Sequence, residues 1–362
     1  MSLQTMIVVF GPTGTFVGEP SSFTPTRAFP PISSLCTHSW RIDSGAVAAD
    51  AETTTTTTAT EGQWPTLTSS SSLPAGTSDV ISLLKGKRVV TTVATDCSRA
   101  ALEQFVANMF RVLGAANLRE VVVIGKALAS SMAYGHERTR VVDIGFEAVT
   151  CSFVVSGVTE GCSTSRTLGV RKFLRGGGGG GGVSHVVAAT THAATTEMQV
   201  DWSALEAAFL GEGAHHDLSK APLLRLLKQL PVESRKGAVP VLITGDAVDH
   251  QPSMFHRLTN LLQPVIATLE GGNIAASSPT SPTAANNSST SLITHSRPAL
   301  MHFTGASLLA SLCGHMCDAI AVTRTDASSL KGLEMIHSRC PGIHRPLQQA
   351  ASDTSGAAAA AA

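Results

Sequence analysis

The feature that most constrains the fold is a strand–helix–strand pattern in the first half of the chain. Residues 88–93 and 120–124 are short apolar runs of the kind that form buried strands, and residues 99–113 place apolar side chains on one face at helical spacing. Asp96 or Ser98 is suited to cap the start of this helix. A strand, a helix and a second strand in this order form a βαβ unit, whose strands pair in parallel through a right-handed crossover. We therefore expect an α/β protein.

A second informative stretch, residues 140–157, has the pattern of a β-hairpin. Its first apolar run ends in Asp143, Ile144 and Gly145, and a second strand-like run covers residues 148–155. A carboxylate at a strand end followed by glycine suits a phosphate and metal site, because the glycine lets the backbone approach a phosphate and the aspartate holds a cation through water. The same residues also suit an ordinary hairpin turn. Both interpretations stay open at this point.

Further elements follow from the same patterns along the chain. In chain order they are a hairpin of strands 6–10 and 15–18, an extended segment 25–32, a short helix 127–134, helices 202–210 and 218–230, a strand 239–243, a helix 252–262, a strand 299–303 and a helix 306–316.

The charge and the cysteine pattern exclude several classes of protein. The net charge is zero and no basic block is present, so we expect no direct contact with nucleic acid. No apolar run reaches the roughly 18 residues of a membrane span, and no secretory signal is recognisable, so an intracellular protein without membrane contact is expected. The seven cysteines are odd in number and irregularly spaced, which favours a reducing compartment. Cys313 and Cys317 flank His315, but two further convincing ligands are missing, so we interpret them as small buried hydrophobes rather than a metal site.

Low-complexity stretches divide the chain into parts. Runs of threonine at 53–58, serine at 69–72 and glycine at 176–182 are typical of insertions and flexible linkers. The expected organisation is a hairpin and extended segment at 1–35, a low-complexity insertion at 36–86, the rest of a first lobe at 87–175, a glycine linker at 176–182, a second lobe at 183–341 with a disordered loop at 271–297, and a disordered tail at 342–362.

Six segments, in this order, resemble the actin family. They are PTRAFPPI at 25–32, the strand–helix–strand at 88–125, VVDIGFEAVTCSFVVSG at 141–157, TLGVRKFL at 167–174, TGASLLASL at 304–312 and TRTDASSLKGLEMIHSRCP at 323–341. The resemblance covers about half of the chain. It implies an α/β fold of two related actin-like (ribonuclease H-like) lobes, with outer subdomains reduced or replaced by disordered insertions.

The sequence departs from the family where the chemistry lies. In the family, each of two hairpins supplies an aspartate that holds water around the metal, and the first hairpin also brings a lysine to the phosphates. The alignment puts Phe10 at the first aspartate position and Val17 at the lysine position. Asp143 is retained in the second hairpin, but the acid expected three residues later is Phe146. Lys126 stands where the family has the glutamine that orients the attacking water.

The resemblance also identifies the residues nearest the nucleotide cleft. They are Thr13, Gly14, Lys126, Asp143, Gly145, Gly245 and Gly305. The family's cofactor is ATP with Mg²⁺, and Asp143 would be the residue that holds the metal through water. Hydrolysis requires neutralised phosphate charge and a positioned water. Because the replacements remove both, we expect no ATPase activity, while nucleotide binding without hydrolysis stays open.

The function implied is that of a non-catalytic actin-related protein. Such a protein would be a scaffold subunit of a chromatin-remodelling or dynactin-like complex, with protein subunits as partners, in the nucleus or in the cytoplasm and cytoskeleton. With both outer lobes reduced, it is not expected to self-polymerise. The alternatives are an ATP-binding cytoskeletal actin-like protein and a sugar kinase or chaperone ATPase of the same superfamily.

Overall fold

The structure is a computed structural model that describes most of the chain outside its low-complexity stretches. The described residues are 3–11, 14–32, 35, 77–114, 117–174, 200–211, 218–235, 239–250, 252–270, 292–293, 301–329, 335–336 and 338–344.

The first sheet contains six strands, which run in the spatial order β11-β5-β4-β1-β2-β3. These strands are β1 (Thr5–Phe10), β2 (Thr15–Gly18), β3 (Arg27–Phe29), β4 (Lys87–Val93), β5 (Leu118–Gly125) and β11 (Val322–Thr323). Strands β1, β2 and β3 form an antiparallel meander, and β4 pairs in parallel with both β1 and β5. The predicted βαβ unit is therefore confirmed.

The second sheet contains five strands in the order β10-β9-β6-β7-β8. These strands are β6 (Arg138–Ile144), β7 (Val149–Val155), β8 (Val158–Ser165), β9 (Val241–Thr244) and β10 (Leu292–Ile293). Strands β6, β7 and β8 form an antiparallel meander, and β9 pairs in parallel with both β6 and β10.

The two sheets therefore repeat one topology. In each, three antiparallel strands are followed by a strand parallel to the first of them and then by a fifth strand parallel to the fourth. The first sheet adds only the short antiparallel strand β11 at its edge. The chain is thus a mixed α/β protein whose two mixed sheets are built in the same way.

The helices form layers on both sides of each sheet. They are α1 (Thr77–Leu84), α2 (Arg99–Val112), α3 (Lys126–Tyr134), α4 (Trp202–Leu210), α5 (Pro222–Lys228), α6 (Asp246–His250), α7 (Pro252–Leu269), α8 (Met301–Leu312), α9 (Gly314–Ile320) and α10 (Arg324–Ser328). Helices α1 and α2 cover the outer face of the first sheet, and α4, α5 and α7 cover the outer face of the second. Helices α3 and α8 share a central core with the inner faces of both sheets. No helix in these described parts of the chain is both long and apolar enough to cross a membrane.

Local sequence signals account for the ends of several helices. The Ser98 hydroxyl accepts a hydrogen bond from the Ala101 amide (3.2 Å), so Ser98 rather than Asp96 caps α2. Gly114 follows the end of α2 with φ +83°, and Gly135 ends α3 with φ +68°. These positive φ angles favour glycine at both positions.

Four expectations from the sequence are wrong. The insertion at 36–86 contains helix α1, and the loop at 271–297 contains the short strand β10. The predicted strand at 299–303 falls in helix α8 from Met301 onward. The tail expected at 342–362 begins with residues 342–344, which are packed into the structure.

The failure to predict helix α1, helix α8 and strand β8 has a physical reason in each case. Val80 and Leu84 lie one turn apart in α1 and are buried against the outer face of the first sheet, an apolar pair too short to stand out beside the polar runs before it. Helix α8 is buried on almost every side, so its sequence lacks the one-sided pattern of a surface helix. Strand β8 was missed because its residues are mostly polar. The Ser156-Gly157 turn before it, with φ 48° and 82°, is the signal that could have revealed it.

Candidate functional site

The candidate site, called the cleft below, is the place where the carboxyl ends of strands β5 and β9 meet. In open α/β sheets, ligands bind at the carboxyl ends of the parallel strands. Strand β5 of the first sheet ends at Gly125, and strand β9 of the second sheet ends at Thr244. The residues that follow these two strand ends contact each other, so the two carboxyl edges meet at one place.

The contact between the two edges is an ion pair between Lys126 and Asp246. The Lys126 Nζ lies 3.2 Å from Asp246 Oδ1 and 3.3 Å from Oδ2. Only 8% of the lysine side chain and 13% of the aspartate side chain are exposed. Lys126 is the first residue of α3, where the helix dipole disfavours a positive charge. Asp246 therefore compensates both for this dipole and for the burial of the ammonium group.

His302, the second residue of α8, lies beside this ion pair and is fully buried. Burial lowers the pKa of His302 to about 3, with a further lowering from the positive charge of Lys126 and an opposite effect from Asp246. The imidazole is therefore neutral at physiological pH. Its Nε2 atom has no hydrogen-bond partner among the described residues.

Asp143 lies next to the same cleft, near the end of β6. In the sheet register it stands opposite Thr150 on one side and Thr244 on the other. Gly245 has φ +125°, and a Cβ atom there would lie 2.5 Å from Asp143 Oδ1 and 2.4 Å from the Ile144 carbonyl oxygen. Glycine is therefore required at position 245 for the backbone to pass this close to the carboxylate.

The two hairpins have matching turns, which shows how their residues correspond. The Gly11 amide donates to the Gly14 carbonyl and the Gly145 amide donates to the Ala148 carbonyl, each at 2.9 Å. The flanking pairs are Phe10 with Thr15 in the first hairpin and Ile144 with Val149 in the second.

By this register, the residue that corresponds to Asp143 is Val9, which corrects the placement of Phe10 at that position. Val9 is buried in the central core, on the cleft side of the sheet. Phe10 belongs instead to the outer core, where its ring packs against Phe105 with centroids 6.3 Å apart. The first hairpin has no carboxylate at either residue, so the aspartate pair expected of a metal site is incomplete.

The remaining predicted residues lie in different parts of the structure. Thr13 lies outside the described residues, while Gly14 forms part of the first turn. Gly305 lies within α8, and a Cβ atom there would come within 1.7 Å of the Ala129 carbonyl oxygen in α3. This glycine therefore permits the close crossing of α3 and α8. Val17 and Phe146 are buried in the outer cores of the two sheets.

Across the parts of the chain that are described, no group of three or more His, Cys, Asp or Glu residues is placed to hold a metal ion. Cys317 belongs to the central core, as expected of a small buried hydrophobe, and burial raises the pKa of its thiol. The charge of Lys126 in the cleft is balanced by Asp246.

Sequence reasoning missed some residues of this cleft. Neither Asp246 nor His302 is among the residues that the sequence places at the cleft. A second contact between the sheets joins Asp96, which follows β4, to Thr164 in β8, whose hydroxyl donates to Asp96 Oδ2 at 2.8 Å. The partners are far apart in sequence, 120 positions for the ion pair and 68 for this hydrogen bond, so no local pattern connects them.

Comparison with known proteins adds no family to this description. No protein-family model matches the chain, and no curated protein matches it in sequence.

Proposed function

We propose that this chain is a non-catalytic actin-related protein that serves as a scaffold subunit of a larger protein complex. The observation that carries the proposal is the buried ion pair between Lys126 and Asp246, which joins the two sheets across the cleft. In the family that the sequence resembles, a nucleotide lies between two lobes at this position. Here, two side chains of the chain itself make the connection.

The topology supports the actin-like part of the proposal. An actin-like fold has two related lobes, and the two sheets of this chain share one strand order. Helices α3 and α8 lie between them and contact the inner faces of both sheets. The resemblance in sequence and the repeated strand order both favour a fold of two related lobes.

The residues of the cleft support the absence of hydrolysis. Hydrolysis of ATP needs cations that neutralise the phosphates and a group that positions water. The lysine of the cleft is already paired, and the position that corresponds to Asp143 in the first hairpin is Val9. A nucleotide that recruited Lys126 would have to break a buried ion pair, at a cost of about 3–5 kcal/mol. A cost of that size weakens binding by roughly two to four orders of magnitude.

A titration with a fluorescent ATP analogue and Mg²⁺ tests this step. We expect no saturable binding in the micromolar range and no phosphate release from ATP. Asp143→Ala is the matched control, because it removes the one carboxylate retained from the family's two hairpins. Micromolar binding that is lost in Asp143→Ala would contradict the proposal and favour the alternative, an ATP-binding actin-like protein.

The partners are proposed to be protein subunits rather than nucleic acid or membrane. A chromatin-remodelling or a dynactin-like complex fits the resemblance, with a nuclear or a cytoplasmic location respectively. Affinity purification from native cells, followed by mass spectrometry, distinguishes the two complexes. Sedimentation with salt and nucleotide tests self-assembly. We expect the protein to stay in the supernatant, and regular filaments in the pellet would refute the scaffold proposal.

A further inference from the structure

Residues 340–344, here called the strap, cross the molecule beside the cleft. The Pro341 carbonyl accepts a hydrogen bond from the Gly125 amide at the end of β5 (2.9 Å), and the His344 amide donates to the Thr95 carbonyl just after β4 (2.9 Å). The strap therefore lies over the carboxyl ends of β4 and β5, the edge of the first sheet at which ligands of such sheets bind.

The strap also reaches the second sheet. The Thr159 hydroxyl, near the start of β8, donates to the Gly342 carbonyl at 3.0 Å. One short segment is thus hydrogen-bonded to strand ends of the first sheet and to the edge strand of the second. Cys340 and Ile343 are buried in the outer core of the first sheet, which anchors the strap on both sides of Gly342.

Two glycines make this close passage possible. A Cβ atom at position 125 would lie 2.1 Å from the Gly342 carbonyl oxygen, and one at position 342 would lie 2.4 Å from the Leu128 Cβ. Gly342 also has φ +79°, a conformation that favours glycine. The strap and the start of α3 are therefore in contact without room for a side chain.

We propose that the strap is a releasable clamp that fixes the orientation of the second sheet relative to the first and covers the cleft edge formed by β4 and β5. The strap has five residues and the three hydrogen bonds named above. Its local opening therefore costs less free energy than the unfolding of the whole protein. When it is released, the edge strand β8 loses a link to the first sheet and the carboxyl ends of β4 and β5 become accessible. This inference rests on the contacts of the strap alone and does not depend on the proposed function.

Two variants of the full chain test the clamp. Gly342→Ala introduces a side chain where Leu128 leaves no space, and Thr159→Val removes only the hydroxyl that links the strap to β8. Gly86→Ala is the matched control, because Gly86 has a similar φ of +73°, no atom within 4 Å of an added Cβ, and a place before β4, at the opposite end of that strand from the strap. It reproduces the backbone strain of Gly342→Ala without the collision.

Two measurements read out the two parts of the proposal. Hydrogen exchange of the Gly125 and His344 amides reports docking, because both amides donate hydrogen bonds in the docked strap. Spin labels attached through unnatural amino acids at Arg111 in α2 and Arg225 in α5 report the distance between the outer layers of the two sheets. Both labelled side chains are exposed.

We expect both test variants to exchange these amides at least about tenfold faster than the Gly86→Ala control, with a broader or shifted label distance. If the amides exchange faster while the distance distribution is unchanged, the strap covers the edge but is not a clamp, and the proposal is overturned. Unchanged exchange in both variants overturns it as well. If Gly342→Ala does not fold, Thr159→Val decides the question by the same two measurements.

Discussion

Replacing Gly305 by alanine tests the central layer on which the arrangement of the two sheets depends. Gly305 lies in α8 where this helix crosses α3. An alanine Cβ would lie 1.7 Å from the Ala129 carbonyl oxygen and 2.5 Å from its carbonyl carbon. The obstacle is the backbone of a helix packed between two sheets, so no side-chain rotation relieves the overlap.

The cost follows from the geometry of the crossing. Carbon and oxygen atoms in contact across helices are usually about 3.3 Å apart or more, so the two helices must separate by roughly 1.5 Å. Overpacking costs about 1–3 kcal/mol when side chains can adjust, and we expect Gly305→Ala to lie at or above the upper end of this range. For the described part of the chain, which comprises about 230 residues, 3 kcal/mol corresponds to a fall in Tm of roughly 6–12 °C.

Thermal and urea unfolding, followed by circular dichroism, measure this change. Gly314→Ala is the control, because Gly314 is the first residue of α9 and an added Cβ there has no atom within 4 Å. We expect the control to change the free energy of unfolding by no more than about 1 kcal/mol, in the stabilising direction. A Gly305→Ala protein as stable as the wild type would refute the close crossing of α3 and α8.

Three further predictions concern ionisable groups. Lys126→Met should lower the free energy of unfolding by about 3–5 kcal/mol in urea titrations, because it leaves Asp246 buried without its partner, and adding Asp246→Leu should recover much of the loss. His302→Leu should flatten the loss of stability on acidification below about pH 6.5, since the unfolded state takes up a proton that the folded His302 refuses, at about 1.4 kcal/mol per pH unit. Absorbance at 295 nm should show the single tyrosine, Tyr134, titrating near 12 rather than 10, because burial raises its pKa to about 12.

Each of these predictions has an opposing outcome. Additive losses in the Lys126 and Asp246 variants would mean that the two charges do not interact. Identical pH slopes for the wild type and His302→Leu would mean that His302 is accessible to protons in the folded state. A tyrosine that titrates at its ordinary pKa would place the end of α3 in solvent, against the burial seen in the structure.

The fold was predictable where short segments carry their own signals. Ser98, one of the two residues expected to cap α2, does so, and glycines with positive φ at 114 and 135 lie at the ends of α2 and α3. The apolar runs of β4 and β5 predicted parallel pairing, because a helix of suitable length separates them. Such features depend on neighbours within a few residues, which is the range that sequence patterns describe.

The cleft was not predictable in the same way. Its ion pair joins Lys126 and Asp246, and no spacing rule connects positions so far apart. The resemblance to a family placed Lys126 at the cleft, at the position of the glutamine that orients water, and gave no sign of its partner Asp246. His302 was missed for a related reason. Its neutral state depends on complete burial, which is a property of the assembled layers and not of the residues around it in sequence.

The two hairpins together explain why the cleft is organised around an internal ion pair. Their turns are alike in length and hydrogen bonding, yet the first contributes Val9 to the central core and the second contributes Asp143 beside Gly245. A metal-bound phosphate chain needs oxygen ligands and free positive charge. Val9 is apolar, and Asp246 already balances the charge of Lys126. The contact between the sheets therefore needs no bound ligand. An ion pair between two side chains of the chain itself at this contact agrees with the proposed role as a non-catalytic scaffold.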